Sequence, residues 1–165
     1  MTPFAVTTYE LSVFLHIAAV VVGLGATFAE SITFPVAMKL DRRHLPYVHR
    51  LQLAINQRLT SPALVVVLAT GIYQTTDHDF DFGDFWISGT LTILIVLGGL
   101  IGAYFIPTDR RLAAMVEREI AAAGQGEVVL SEEYQRRARI EGVVGAFAGV
   151  LVLVAIYLMV TKPGL

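Results

Sequence analysis

The sequence contains no cysteine. This absence excludes disulfide bonds, thiolate metal ligands, iron–sulfur clusters and cysteine catalysis within the chain. A phosphate-binding glycine loop, a nucleophile elbow and an HExxH motif are also missing. The basic residues lie where membrane topology explains them, so we expect no nucleic-acid partner. Nothing indicates soluble-enzyme chemistry, and the sequence identifies no catalytic residue.

Charge is scarce as well. Charged residues make up 16% of the chain and apolar residues 55%, and the charged ones are crowded into short segments. This pattern predicts an all-α protein, a bundle of four transmembrane helices that crosses the cell inner (cytoplasmic) membrane several times. The first apolar run is too long for a signal peptide and lacks preceding basic residues, so we expect it to be retained. The predicted spans of this single integral membrane domain, residues 1–165, are about 9–38, 50–74, 85–106 and 140–160.

The connections between the spans differ in charge. The segment 39–50 carries four Lys or Arg and the segment 107–140 carries six, whereas residues 76–84 contain four aspartates and no Lys or Arg. The positive-inside rule therefore predicts that both termini lie outside, with the two basic connections in the cytoplasm. We expect the third helix to stop before Pro107, a charged helix to follow in the second cytoplasmic loop, and the last helix to begin near Ser131.

Three residues of the first span form a stripe. His16, Gly23 and Glu30 are spaced by seven, and a helix drifts only about 20° per heptad, so they lie along one face. That face should contact protein rather than lipid. Gly23 would let a neighbouring helix or a flat ligand approach the backbone.

A second group of polar residues is predicted inside the bundle, comprising Glu30, Gln52, Asn56, Arg58 and Glu141. Lone charges among apolar residues are costly, so such groups usually pair or line a water-filled cavity. Glu30 and Arg58 are the preferred ion pair, and Glu141 is the competing partner for Arg58. The group either fixes helix register or forms a polar cavity for a proton, an ion or the propionates of a cofactor.

The histidines are candidates for metal binding. His16 either forms a hydrogen bond with a hydroxyl or carbonyl group on another helix or serves as a metal ligand. His44 and His49 lie at the predicted cytoplasmic edge, and His78 lies in the outer acidic loop.

Glycines recur in the last two spans at the small-xxx-small spacing of close helix contacts. We interpret them as packing residues, and the alternative is a seam between copies of the chain. They are Gly98, Gly99, Gly102, Gly142, Gly145 and Gly149.

Three segments carry a resemblance to known proteins: YELSVFLHIAAVVVGLGATF, IEGVVGAFAG and YLMVTKPGL. Across nearly the whole chain they resemble a family of uncharacterised bacterial four-helix integral membrane proteins, a domain of unknown function. The pattern LHIAAVVVGLG is also similar to the first-helix histidine segment of copper-resistance-D-type and protoporphyrinogen-oxidase-type membrane haem proteins. That resemblance implies b-type haem at His16. The porphyrin oxidases also use an intramembrane lysine, whereas Lys39 and Lys162 lie at membrane edges here.

Three functions are consistent with these residues. The first is a membrane electron-transfer protein in which His16 is an axial ligand of haem b and Gly23 leaves room for the macrocycle. The iron would be five-coordinate, or would take His78 or the His16 of a second chain in a homodimer as its other ligand. The second is an accessory subunit of a larger membrane complex. The third is a small proton-coupled carrier that uses Glu30 and Arg58.

Overall fold

The computed structural model, which describes residues 6–164, consists of four long helices. Their bounds are Thr8–Ala37 (α1), Arg42–Asp77 (α2), Phe85–Ala123 (α3) and Glu132–Thr161 (α4). Each is long and apolar enough to cross a membrane, and no strand occurs among the described residues. The predicted all-α architecture with four membrane-spanning helices is therefore confirmed.

Side-chain caps begin α1 and α4. The Thr7 hydroxyl accepts a hydrogen bond from the N–H of Glu10, and the Glu10 carboxylate accepts one from the N–H of Thr7. This reciprocal pair satisfies two of the N–H groups that a helix start leaves free. Ser131 accepts the N–H of Tyr134 in the same way, which confirms the predicted start of the last helix.

Three of the four helices contain a widened π turn. These turns are Val20–Leu24 in α1, Asn56–Thr60 in α2 and Leu100–Phe105 in α3. In α2 and α3 the turn ends two residues before a proline, Pro62 or Pro107. A proline lacks a backbone N–H and crowds the carbonyl four residues earlier, and the wider turn accommodates both effects.

The prediction that the third helix stops before Pro107 is wrong. The helix passes through this proline and ends at Ala123, so the predicted charged loop helix is its continuation. Pro107 lies in the first turn after the π segment, a position where proline is tolerated. With 39 residues α3 is about 58 Å long, nearly twice the roughly 30 Å hydrocarbon layer.

Neighbouring helices in the bundle run antiparallel. The N-terminal half of α1 lies along the C-terminal half of α2, and the first part of α3 lies along α4. We call the end of the bundle that carries residues 38–44 and 124–131 the basic end. The opposite end, with residues 78–84, is the acidic end.

A small core closes the basic end. Leu45 of α2, Leu112 and Val116 of α3, and Tyr134 of α4 are fully buried there. Arg42 donates a hydrogen bond to the carbonyl of Val128 at 2.6 Å. The last part of α3 is thus packed against the other helices, and basic residues of this end also hold its connecting segment.

The outer surface of the bundle is apolar. Val21, Ile95, Val143 and Leu153 are each more than half exposed. Exposed apolar side chains at this density are unfavourable in water and suit contact with lipid. The packing interpretation is wrong for Gly98, Gly99, Gly102, Gly142 and Gly145, because within residues 6–164 a Cβ built on each of them meets no atom of another helix within 4 Å.

Candidate functional site

The four helices surround a cavity in the half of the bundle towards the basic end, which we call the inner cavity. Its volume is about 350 Å³, within the roughly 300 to 1,000 Å³ of typical ligand sites. The wall is mainly apolar, but Glu30, Gln52, Asn56, Asp109 and Glu141 also line it. None of its lining residues within 6–164 is a lysine or an arginine. Three carboxyl groups therefore share this cavity without a basic side chain in its wall.

Two oxygen atoms of this wall have no hydrogen-bond partner. They are Oε1 of Glu30 and Oε1 of Gln52, and both are buried. Leaving a buried polar group unsatisfied costs roughly 1 to 3 kcal/mol. Both oxygens are acceptors, so a cation, a proton or a donor group would satisfy them.

A hydrogen-bonded histidine lies beside the inner cavity. His49 of α2 is completely buried. Its Nε2 is 2.8 Å from the hydroxyl of Tyr134, and its Nδ1 is 3.4 Å from Oδ1 of Asp109. Because these residues belong to α2, α4 and α3, the chain of polar contacts links three helices.

Glu141 completes a compact group with these residues. One ligand atom each of His49, Asp109 and Glu141 lies within 4.8 Å of the other two. Asp109 is 2% exposed. An imidazole and two carboxylates so close together can share a proton or hold one metal ion.

The π turns contribute to the same cavity. Each of the three turns, Val20–Leu24, Asn56–Thr60 and Leu100–Phe105, supplies at least one lining residue. Single π turns within α-helices occur frequently at functional sites. Their convergence marks this cavity as the irregular part of an otherwise regular bundle.

The predicted pairing of Arg58 is wrong. The structure brings Glu30, Gln52, Asn56 and Glu141 to the inner cavity, but Arg58 is exposed on the outside of α2. Within residues 6–164 it forms no ion pair with Glu30 or with Glu141. Arg58 lies inside a π turn, where the angular positions of an ideal α-helix no longer hold.

His16 forms a hydrogen bond with a hydroxyl group on another helix. Its Nδ1 is 2.8 Å from Oγ1 of Thr70. The Thr70 hydroxyl also donates to the carbonyl of Val66 at 2.6 Å. A hydroxyl has one hydrogen, so when Thr70 donates it to Val66, Nδ1–H of His16 donates to Thr70 and Nε2 carries the lone pair.

The surroundings of His16 do not form a two-histidine site. His16 borders an apolar cleft of about 220 Å³ towards the acidic end, and no other histidine among residues 6–164 lines that cleft. His78 instead stacks on Tyr9, with ring centroids 4.1 Å apart. Gly23 packs against α2, where a Cβ on Gly23 would overlap that of Ala63. The close approach at Gly23 is therefore made by a helix.

Sequence reasoning misses Asp109, Tyr134 and the role of His49. Ending the third helix before Pro107 assigns Asp109 to the second cytoplasmic loop. His49 is predicted to lie at the cytoplasmic edge, where it is a weaker candidate than His16. One signal was available, because proline is common in the first turn of a helical segment. A helix that continues through Pro107 brings Asp109 within the bundle.

Comparisons with known proteins identify the family. The model of the family described as "Predicted integral membrane protein (DUF2269)" matches residues 10–163, nearly the whole chain. The search of curated proteins and the search of solved structures each found no match. The resemblance to membrane haem proteins has no support from these comparisons. The chain is an integral membrane protein with four candidate spans, and it belongs to the DUF2269 family of predicted integral membrane proteins.

Proposed function

We propose that this protein is a membrane carrier for a small cation and that the inner cavity is its binding site. One observation carries the proposal: Glu30, Asp109 and Glu141 line a single cavity whose wall contains no lysine or arginine. Such a site attracts protons or metal cations and repels anions. Ionisable residues inside a membrane bundle are generally associated with substrate or ion pathways.

The charges of the three carboxyl groups favour a bound cation. Placing one aspartate at the centre of a membrane helix costs roughly 2.5 to 3.5 kcal/mol on insertion scales. Three carboxyl groups in one cavity would also repel each other if all were ionised without a counter-ion. Among the described residues, no lysine or arginine forms an ion pair with Glu30, Asp109 or Glu141. A bound cation compensates this charge.

The shape of the cavity suits a mobile occupant. Gly142 and Gly145 line it, and a Cβ built on either residue meets no described atom of another helix within 4 Å. The three π turns place irregular backbone around the same space, as do the interrupted helices of transporters. In the predicted topology, this half of the bundle lies on the cytoplasmic side of the cell inner membrane.

This proposal revises the proton-coupled carrier that the sequence suggested. Glu30 is retained, and Asp109 and Glu141 take the place of Arg58, which lies outside the cavity. A positively charged partner is therefore supplied by the transported ion rather than by the protein.

Flux measurements in proteoliposomes test the carrier. Purified protein is reconstituted with a trapped pH dye or a trapped divalent-cation dye, and an ion gradient is applied. Charged contacts are worth roughly 1.5 to 3 kcal/mol, so Glu30→Gln or Asp109→Asn should slow the flux about tenfold or more. Glu117→Gln is the matched control, because Glu117 is an α3 carboxylate paired with Arg50 at the surface. Equal flux in all variants, or no flux of either ion in the parent, would overturn the proposal.

A second test narrows the cavity without changing its charge. Gly145→Leu places a side chain in the space that the glycine leaves open, so it should also reduce flux. Gly98→Leu is the control, since Gly98 is equally open but lies outside the inner cavity. Equal flux in the two variants would contradict a cation path through this cavity.

Haem binding stays a prediction, and one observation favours a ligand on His16. In the tautomer whose Nδ1–H donates to Thr70, the lone pair of Nε2 is available to a ligand. A homodimer or an accessory role in a larger membrane complex likewise stays a prediction, and the open Gly98 and Gly102 are available to a second chain.

A further inference from the structure

We propose that His49, Asp109 and Glu141 form a binding site for one first-row divalent transition-metal ion, such as Zn²⁺ or Fe²⁺. This inference rests on the proposed cation carrier and names the class of its cation. It requires that the three residues act as direct ligands, with the remainder of the inner cavity open to further donors.

The distances are compatible with one shared ion. Zinc binds histidine nitrogen and carboxylate oxygen at about 2.0 to 2.2 Å in a tetrahedral geometry, so two ligand atoms of one ion lie about 3.3 to 3.6 Å apart. The three ligand atoms here lie within 4.8 Å of one another. Side-chain rotations that move each atom by up to about 0.7 Å would bring all three to bonding distance.

The donor set selects the class of metal. Imidazole favours zinc, iron, copper and nickel, whereas Mg²⁺ and Ca²⁺ prefer ligand sets made only of oxygen. With no cysteine in the chain, soft Cu⁺ lacks its preferred thiolate. Two ionised carboxylates also balance the charge of one divalent cation, which makes the loaded group neutral within the apolar bundle.

A hydrogen bond orients the histidine as metal ligands require. Metal-binding histidines generally donate their other ring N–H to a nearby acceptor, which fixes the ring and its tautomer. Nε2 of His49 is 2.8 Å from the Tyr134 hydroxyl, and Tyr134 is completely buried. Nδ1 then faces Asp109 and is the atom that would bind the ion.

An independent observation also indicates a cation at this place. Oε1 of Glu30 and Oε1 of Gln52 are buried acceptors without partners, and both residues line the cavity that Asp109 and Glu141 line. A hydrogen-bonded link between helices would explain His49, Asp109 and Tyr134. It leaves the two free oxygens unexplained, whereas an ion with bound water satisfies them.

Cobalt(II) titration of the detergent-purified protein tests the site, since bound Co²⁺ gives a visible absorption that reports its ligands. We expect about one ion per chain and a rise in the thermal unfolding temperature on Co²⁺ addition. Affinity should fall tenfold or more in Asp109→Asn and Glu141→Gln, and about tenfold in Tyr134→Phe, which keeps the packing but removes the hydroxyl. Glu117→Gln should bind Co²⁺ as the parent does.

Two results would overturn the metal site. One is a folded parent protein that shows neither the Co²⁺ absorption nor the shift in unfolding temperature. The other is unchanged affinity in Glu141→Gln together with Tyr134→Phe, both verified as folded by gel filtration. If liposomes carry protons while the protein binds no Co²⁺, the carrier stands and the metal site is wrong. If Co²⁺ binds but no ion crosses, the metal site stands and the carrier is wrong.

Discussion

Replacing Gly23 with alanine should force α1 and α2 apart. A Cβ built on Gly23 falls inside 3.0 Å of the Cβ of Ala63, a separation that real Cβ atoms essentially never show. Carbon atoms pack best at about 3.5 to 4.0 Å, so the two Cβ atoms would have to move apart by about 1.5 to 2 Å. Ala63 has no rotatable side-chain carbon that could move away.

Overpacking of this kind costs about 1 to 3 kcal/mol. Alanine has a helix propensity up to about 1 kcal/mol better than glycine, which offsets part of this cost. We therefore expect Gly23→Ala to lower the apparent unfolding temperature in detergent. Far-UV circular dichroism at a fixed scan rate measures this temperature. Gly25→Ala is the control, because a Cβ at this position meets no described atom of another helix within 4 Å. This variant should be neutral or slightly stabilising.

Exchanging the residues at positions 23 and 63 tests whether this contact causes the loss of stability. In Gly23→Ala with Ala63→Gly, the new Cβ would lie 3.5 Å from the Cα of residue 63 and 3.6 Å from the carbonyl oxygen of Leu59, both ordinary contacts. The double variant should recover most of the stability lost by Gly23→Ala. If Gly23→Ala is as stable as Gly25→Ala, or if Ala63→Gly gives no recovery, the described contact between α1 and α2 is incorrect.

Three further predictions concern Arg58, His16 and the membrane topology. In a double-mutant cycle of Glu30→Gln and Arg58→Gln, the changes in the free energy of unfolding should add within about 0.3 to 0.5 kcal/mol. The reason is that Arg58 is exposed and forms no ion pair with Glu30. A larger coupling energy would show that the two residues do pair. If His16 binds haem, protein expressed with added haem should show a Soret band that His16→Ala abolishes, and colourless protein would refute haem binding. Reporter fusions at Gln125, just beyond α3, and at Leu165 should fall on opposite sides of the membrane, and a shared side would contradict the four-span topology.

Local features explain how much of the fold was predictable. The four apolar runs, the cap at Ser131 and the acidic first turn of α4 act over one helix at a time, so the sequence alone indicates them. Family membership follows from the same residues, since the family model covers 10–163. Glu30 and Glu141 could also be selected from sequence, because a carboxylate within an apolar run needs a partner or a cavity wherever it lies.

The tertiary structure alone decided which residues meet at the site. Successive residues of an α-helix are rotated by about 100°, so a π turn that adds one residue changes the direction of every side chain beyond it relative to the regular pattern. Arg58 lies within such a turn and faces outward, whereas Asp109 follows the π turn of α3 and faces the interior. His49 joins Asp109 and Tyr134 only because three helices converge at the basic end. Composition and periodicity determine that each helix enters the membrane, but contacts between helices distant in sequence determine where its charges point.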